Sequence, residues 1–313
     1  MKLSIVTTLY QSAPYLAEFH ERARAAAQPI AGGDFEIVLV HDGSLDDSLE
    51  RAIRLSETDP HVAVVDLSRN FGKERALMAG LRHARGDLVY IVESDLEEEP
   101  EWVGGFAAQL ADEGCDVVYG IQRSRKGGWL ERVTGQWFYR LLRLLTGANL
   151  PENVTTARLM TRRFVDALVR HGETELYLEG LFHLTGFAQR PRVVTKHHHS
   201  PTTYTLARKM AVVVNAITAM SGRPFAVLFW AGLTILMAGL AQLLTTAGMR
   251  LFVRAAIEPF SVILGSLWLI GGLLLAGVGL LGIYLSKVLL EAKRRPTEIV
   301  RRTYGTQNGR TPI

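Results

Sequence analysis

Leu88–Trp102 reads LVYIVESDLEEEPEW, and the fold is decided in it. The apolar, β-branched and aromatic run Leu88-Val89-Tyr90-Ile91-Val92 breaks into Glu93-Ser94-Asp95-Leu96-Glu97-Glu98-Glu99-Pro100. A short apolar run bounded by a turn is a buried strand. The acids then stand at the carboxyl end of a strand, the edge where open α/β sheets take their ligands. Carboxylates at alternate positions, Glu93, Asp95 and Glu97, make a hard oxygen site suited to Mg²⁺ or Mn²⁺. Such an ion can hold a diphosphate and neutralise charge on it as it leaves. The other reading of the same residues is a solvated acidic turn, with Glu-Pro-Glu opening the next helix.

Upstream, the same strand-then-loop pattern repeats. Leu3–Leu9, Phe35–Val40 and Val62–Leu67 read as strands, and Tyr15–Ala27, Leu49–Glu57 and a helix running through His83 lie between them. Downstream, Glu101–Asp112 is a helix and Val117–Tyr119 a short fifth strand. Strands alternating with helices imply parallel βαβ units with right-handed crossovers. Residues 1–126 are therefore expected to form a nucleotide-type α/β domain. Four of its loops gather polar side chains at strand ends: Tyr10–Pro14, His41–Ser48, Ser68–Glu74 and Glu93–Glu97. A fifth, Gly120–Lys126, supplies Arg123 and Arg125. That convergence suits a nucleotide diphosphate, which needs base and ribose contacts, a metal, and cations for its phosphates.

The remainder has a different character. Gly127–Thr146 interleaves Trp129, Trp137 and leucines with Arg132, Arg140 and Arg143, the pattern of a basic helix lying in a membrane interface or of a core helix. Leu206–Ser221 is a second amphipathic helix, with Arg208 and Lys209 near its start. Residues 127–224 are thus expected to form an acceptor-side part around these helices. Phe225–Thr245 and Phe260–Leu281 each reach the roughly 20 apolar residues that span a bilayer, so residues 225–286 are expected to be a transmembrane hairpin. Basic residues flank it: Arg208, Lys209 and Arg223 before, and Lys293, Arg294, Arg295, Arg301 and Arg302 in the segment 287–313, read as a basic tail. By the positive-inside rule, the protein is expected to be a multi-pass protein of the inner (plasma) membrane with both termini and the α/β domain cytoplasmic.

Composition agrees with that division. The 313 residues are 48% hydrophobic with a net charge of +4. The mean hydropathy of +0.12 is high for a protein without a membrane part. The basic clusters sit beside apolar segments, which points to a membrane surface and away from nucleic acid. A single cysteine, Cys115, excludes an intrachain disulfide and reads as a small buried hydrophobe. The N-terminus passes directly into a strand, so no signal peptide is expected. Lys196-His197-His198-His199 reads as a polar loop, because consecutive histidines on extended chain point to alternate faces. Glu173, Glu175 and Glu179 read as a solvated face, with Glu179 near the expected site.

The order SIVTTLY, EIVLVHDGSLDDS, SRNFGKERALMAGL, GDLVYIVESDLEEEPE, followed by NVTTARLMTRR, SPTTYTLARK and GIYLSKVLLEAKRRP, resembles the family 2 inverting glycosyltransferases of GT-A fold. Within them it is similar to the polyprenyl-phosphate sugar transferases, such as dolichol-phosphate mannose synthases and bactoprenol glucosyltransferases. The resemblance covers nearly the whole chain. It implies a Rossmann-like mixed sheet followed by interfacial helices and a two-helix hairpin. It also implies Mg²⁺ or Mn²⁺ as cofactor, a UDP- or GDP-sugar donor and a polyprenyl (undecaprenyl) phosphate acceptor, in cell-envelope glycan or lipopolysaccharide modification.

Carried residue by residue, the resemblance gives Asp42 and Ser44 to the nucleotide base, with Tyr10, Arg69, Lys73 and Ser94 lining the donor. It makes Asp95 the main metal ligand, to which the charge of Glu97 is expected to add, and sets Glu93 and Arg158 beside Asp95 in catalysis. Arg123, Arg125, Arg208 and Lys209 would face phosphates or acceptor. This sequence has Glu93 where an Asp is usual, Glu97 for Gln, His41 for Asp or Asn, and Thr156 for Asp. A lipid monophosphate is already a nucleophile and needs no general base; cations must offset its repulsion from the donor. A processive polysaccharide synthase of the same family carries a Gln-x-x-Arg-Trp motif and more spans, neither of which is present. A non-catalytic sugar-nucleotide-binding membrane partner is the other alternative, and a homo-oligomer stays open.

Overall fold

The computed structural model describes residues 2–122, 154–172, 177–196, 259–293 and 296–305. The elements run β1 (Leu3–Leu9), α1 (Leu16–Ala31), β2 (Phe35–His41), α2 (Ser48–Thr58), β3 (Val62–Leu67), α3 (Lys73–His83), β4 (Leu88–Ile91), α4 (Trp102–Glu113) and β5 (Val117–Gln122). They continue with β6 (Val154–Thr161), α5 (Arg162–Leu168), α6 (Leu178–Leu184), β7 (Gln189–Val194), α7 (Pro259–Ala292) and β8 (Val300–Gly305). The chain divides into two compact units: Met1–Tyr139 with Asn149–Leu206 and Pro296–Ile313, and Arg140–Ala148 with Ala207–Arg295.

The first unit holds one eight-stranded sheet in the order β7-β5-β6-β4-β1-β2-β3-β8. β4, β1, β2 and β3 are parallel neighbours, as their alternation with helices requires. β6 runs antiparallel between β4 and β5, and β8 runs antiparallel along β3, so the sheet is mixed. Both faces are covered, which is why Val89, Tyr90 and Ile91 are all buried in succession. On one face Phe19, Ala23 and Ala27 of α1 and Phe106 of α4 pack on Ile5, Ile37 and Tyr90. On the other, Ala76 and Met78 of α3 and Phe164 of α5 pack on Val6, Val38 and Val89. Each such large side chain contributes about 1.5–3 kcal/mol on burial.

The expected transmembrane hairpin is corrected: among the described residues no helix is long and apolar enough to cross a membrane. Of its two stretches, residues 225–245 lie outside the described residues, and Phe260–Leu281 falls within α7. The helices read at Gly127–Thr146 and Leu206–Ser221, and with them Arg123, Arg125, Arg208 and Lys209, lie outside the described residues. Nothing in the composition of Val300–Gly305, VRRTYG, announced an edge strand; it is placed there by pairing with β3.

Candidate active site

β1, β2, β3 and β4 end on one edge of the sheet, and the four expected loops meet there. Gln11, at φ 55°, donates its N–H to Ser44 Oγ at 2.9 Å. Ser44 Oγ donates in turn to Asp46 Oδ1 at 2.7 Å. Asp46 also receives the Ser48 hydroxyl at 2.7 Å and the Ala13 N–H at 3.2 Å. Burial works against its charge, yet the hydroxyls of Ser44 and Ser48 hold Asp46 below the ordinary carboxylate range. Ser94, expected among the donor contacts, is buried, and its hydroxyl bridges Ser12 Oγ and the Thr8 carbonyl, each at 2.9 Å. Tyr10 is exposed at the rim.

Asp42 is buried and joins two loops. Its two oxygens accept the N–H groups of Phe71 at 2.7 Å and Gly72 at 3.0 Å. Burial pushes its carboxyl up, while those N–H groups pull it back. Arg69 lays its guanidinium 4.1 Å from the Phe71 ring centroid. Gly72, at φ 96°, turns the chain into α3, so that Lys73 opens the helix facing Glu93.

The acidic turn is not a solvated cap. α4 begins only at Trp102, and its cap Glu101 makes no side-chain capping bond. Glu93, Asp95 and Glu97 are instead half-buried, each offering a carboxylate oxygen within 4.8 Å of the others. Leu96, at φ 60°, folds the turn inward, and Asp95 Oδ1 accepts the Glu97 N–H at 3.0 Å. Burial, then the charge of Glu93, pushes the Asp95 carboxyl up. This clustered hard-oxygen donor set fits Mg²⁺ or Mn²⁺.

Register explains what surrounds the cluster. β6 pairs Arg158 with Ile91, so Thr156 falls level with Glu93 and gives its hydroxyl to Glu93 Oε1 at 3.0 Å. Lys73 binds that same oxygen and donates to Thr156 Oγ1 at 2.8 Å. β7 runs parallel to β5, which carries Lys196 to the same edge. Its ammonium lies 2.7 Å from Glu93, 3.3 Å from Glu97 and 3.6 Å from Glu98. Burial opposes ionisation of Glu93, but the two ammoniums outweigh it and hold the group well below its ordinary value. Glu98 is fully buried, accepts the Thr156 N–H at 2.9 Å and leaves Oε2 without a hydrogen-bond partner among the described residues. Burial and then the charge of Glu93 raise its carboxyl.

Arg158 stands two residues along β6. It is buried, stacks 4.0 Å from the Phe182 ring centroid, and binds both oxygens of Glu179 through Nη2. Among the described residues its Nε has no hydrogen-bond partner. A cavity of about 300 Å³ opens here, lined by Tyr119, Arg158, Glu179, Phe182, His183 and Phe187 among others. Glu74, on α3, accepts the Leu178 N–H at 3.4 Å; burial, with the charge of Glu179 adding to it, pushes Glu74 up to about 7.

The structure therefore brings together Asp42, Ser44, Arg69, Lys73, Glu93, Asp95, Glu97 and Arg158 at one edge. Sequence reasoning missed Lys196, Glu98, Glu74 and the pairing of Glu179 with Arg158. Lys196 had a signal, since it follows a strand ending at Val194 on the loop-bearing edge.

Residues 4–169 match the family described as glycosyl transferase family 2. A Mycobacterium tuberculosis (strain CDC 1551 / Oshkosh) protein named for glycosyltransferases is 44% identical over 306 residues, covering 98% of this chain and 89% of that one. The uncharacterized glycosyltransferase YkcC of Bacillus subtilis (strain 168) is 29% identical over 313 residues, covering 99% and 96%. Among solved structures, glucosyl-3-phosphoglycerate synthase of M. tuberculosis in complex with UDP aligns at a TM-score of 0.47 and 22% identity, over 71% of this chain and 79% of that one. Staphylococcus aureus TarS 1–349 with UDP aligns at 0.45 and 19% identity, over 70% of this chain and 65% of that one, under two thirds of its length.

Proposed function

The chain belongs to glycosyl transferase family 2, and from that premise we propose that it moves a sugar, with inversion, from a nucleotide-diphosphate sugar to polyprenyl phosphate at the cytoplasmic face of a membrane. The observation that carries this reading is Arg158: a buried guanidinium lining a cavity, its Nε without a partner among the described residues, two residues along β6 from the Thr156 that binds Glu93. Such a group suits an anionic acceptor head, which would share or displace the hold of Glu179.

In this reading Asp42 and Ser44 shape the base end of the donor site, and Arg69 and Lys73 lie along its phosphates. A divalent ion held by Asp95 and Glu97 would neutralise charge on the departing diphosphate. Arg158 orients the acceptor phosphate, whose oxygen forms the new bond to the anomeric carbon as the bond to the nucleotide diphosphate breaks. The leaving group keeps the electron pair, so no proton moves and no general base is required. The membrane placement is supported by α7, where Ile263, Leu267, Leu274, Val278, Leu281 and Leu285 are exposed at three-, four- and seven-residue steps.

The test is transfer by the purified full chain from a panel of UDP- and GDP-sugars to undecaprenyl phosphate, with Mn²⁺ or with chelator. A chelator-sensitive lipid-phosphate sugar is expected. Transfer only to a soluble acceptor, or none from any donor, would overturn the acceptor assignment.

A further inference from the structure

One side chain of β8 ties that strand to the end of β3 and the loop after it. β8 pairs with β3 so that Arg302 faces Asp66 and Val300 faces Leu67, with a shift of register between them. Arg301 is thus the extra residue of a bulge, the device that re-aims a side chain along a sheet edge. Its Nη1 lies 3.4 Å from Asp66 Oδ2, and its Nη2 donates to the Ser68 carbonyl at 2.6 Å.

Asp66 is buried, and its other oxygen lies 2.8 Å from His41 Nδ1. The far nitrogen of that ring, Nε2, is 3.0 Å from the Ser44 N–H. A backbone N–H can only donate, so Nε2 carries no proton and Nδ1 must carry one. Asp66 is the acceptor that selects this tautomer. A chain of contacts therefore runs from Arg301 through Asp66 and His41 to Ser44, whose Oγ holds the Gln11 N–H.

We propose that Arg301 is a positioning residue for the nucleotide-base end of the donor site, acting through Asp66 and His41 on the turn Asp42–Ser44. The inference rests on the reading of that turn as the base-binding loop. The Arg301 side chain is 56% exposed and its contact with buried Asp66 is long, at 3.4 Å, while Asp66 keeps the His41 N–H without it, so its loss should cost little global stability. Its effect should be confined to the order of the loop.

The test uses the full chain, with UDP and GDP as calorimetric probes in Mn²⁺ and with steady-state kinetics. Arg301→Gln should weaken nucleotide binding and raise donor KM by roughly three- to tenfold. Acceptor KM, kcat and Tm should stay close to wild type, and Arg301→Lys should recover part of the loss. In a His41→Gln background, Arg301→Gln should add nothing. Unchanged nucleotide affinity with a lowered Tm, or full additivity with His41→Gln, would overturn the proposal. Asp42→Asn separates the two readings. If it leaves nucleotide affinity unchanged, the base-loop reading itself falls; if it weakens binding while Arg301→Gln does not, only the role of Arg301 falls.

Discussion

Lys196 places its ammonium 2.7 Å from Glu93 Oε2, while Lys73 holds the other Glu93 oxygen. Glu93 is therefore a carboxylate shared between two lysines, and Asp95 and Glu97 are the oxygens better placed for a divalent cation. Glu93 is also one methylene longer than the Asp its family resemblance would put there. The longer side chain reaches both ammoniums and the Thr156 hydroxyl, which occupies the position of another usual Asp.

Because Lys196 stands among three carboxylates, it competes with any metal for them. Lys196→Met should tighten Mn²⁺ binding to the nucleotide-free protein by roughly three- to tenfold, the effect of one partly screened charge. Calorimetric titration with Mn²⁺ alone measures this. Unchanged or weaker binding would show that the ammonium does not compete.

Asp95→Asn keeps the shape of the turn, including the bond from the Glu97 N–H, but removes a charge from the cluster. Mn²⁺ binding should be lost, and transfer should fall by roughly 100-fold or more, since the ion contributes several kcal/mol of charge stabilisation. Wild-type turnover at ordinary metal concentrations would place the metal elsewhere.

Much of this edge was legible because it is local. The run Leu88–Val92 and the turn after it specify a strand end and its acids, and HDGS specifies a tight turn between β2 and α2. Other parts depend on pairing between segments far apart. Thr156 reaches Glu93, and Lys196 reaches the cluster, only because β6 and β7 insert beside β4 and β5. Ser94 looked like a ligand, yet the close approach of β1 and β4 consumes its hydroxyl. Arg301 looked like part of a charge bias, and only the bulge against β3 gives it a partner. The apolar stretches were read by length and composition alone, and among the described residues that reading did not yield a helix able to cross a membrane.

Glu74 makes a prediction about pH. Burial, reinforced by Glu179, raises its carboxyl from 4.5 to about 7 in the folded chain. The folded state then holds this proton more tightly than the unfolded chain. Its contribution to stability is fully present below about 4.5 and is lost as pH rises through about 7. Glu74→Gln, neutral at every pH, should match wild type in Tm near pH 4.5 and exceed it increasingly toward pH 8. Thermal melts across that range are the measurement, and parallel profiles for the two proteins would exclude an elevated Glu74.

The turn between the donor loops makes the last prediction. Gly43 sits at φ 61°, where an L-residue with a Cβ is disfavoured by roughly 1–2 kcal/mol. A Cβ there would also stand 2.4 Å from the Asn70 nitrogen and 2.5 Å from the Arg69 carbonyl carbon. Both neighbours are backbone, so neither can swing aside as a side chain would. They belong to the loop whose Phe71 and Gly72 N–H groups grip Asp42. Gly43→Ala must therefore push the Arg69–Gly72 loop away from Asp42, or open the turn itself. Either response separates the two loops assigned to base and phosphates. Donor affinity should fall by at least tenfold, and denaturant unfolding should show a loss of about 2 kcal/mol or more. Gly33→Ala, at a position where a Cβ meets nothing within 4 Å, is the control and should leave donor affinity unchanged. If Gly43→Ala binds nucleotide as well as that control, the close contact between the two loops has no part in shaping the donor site.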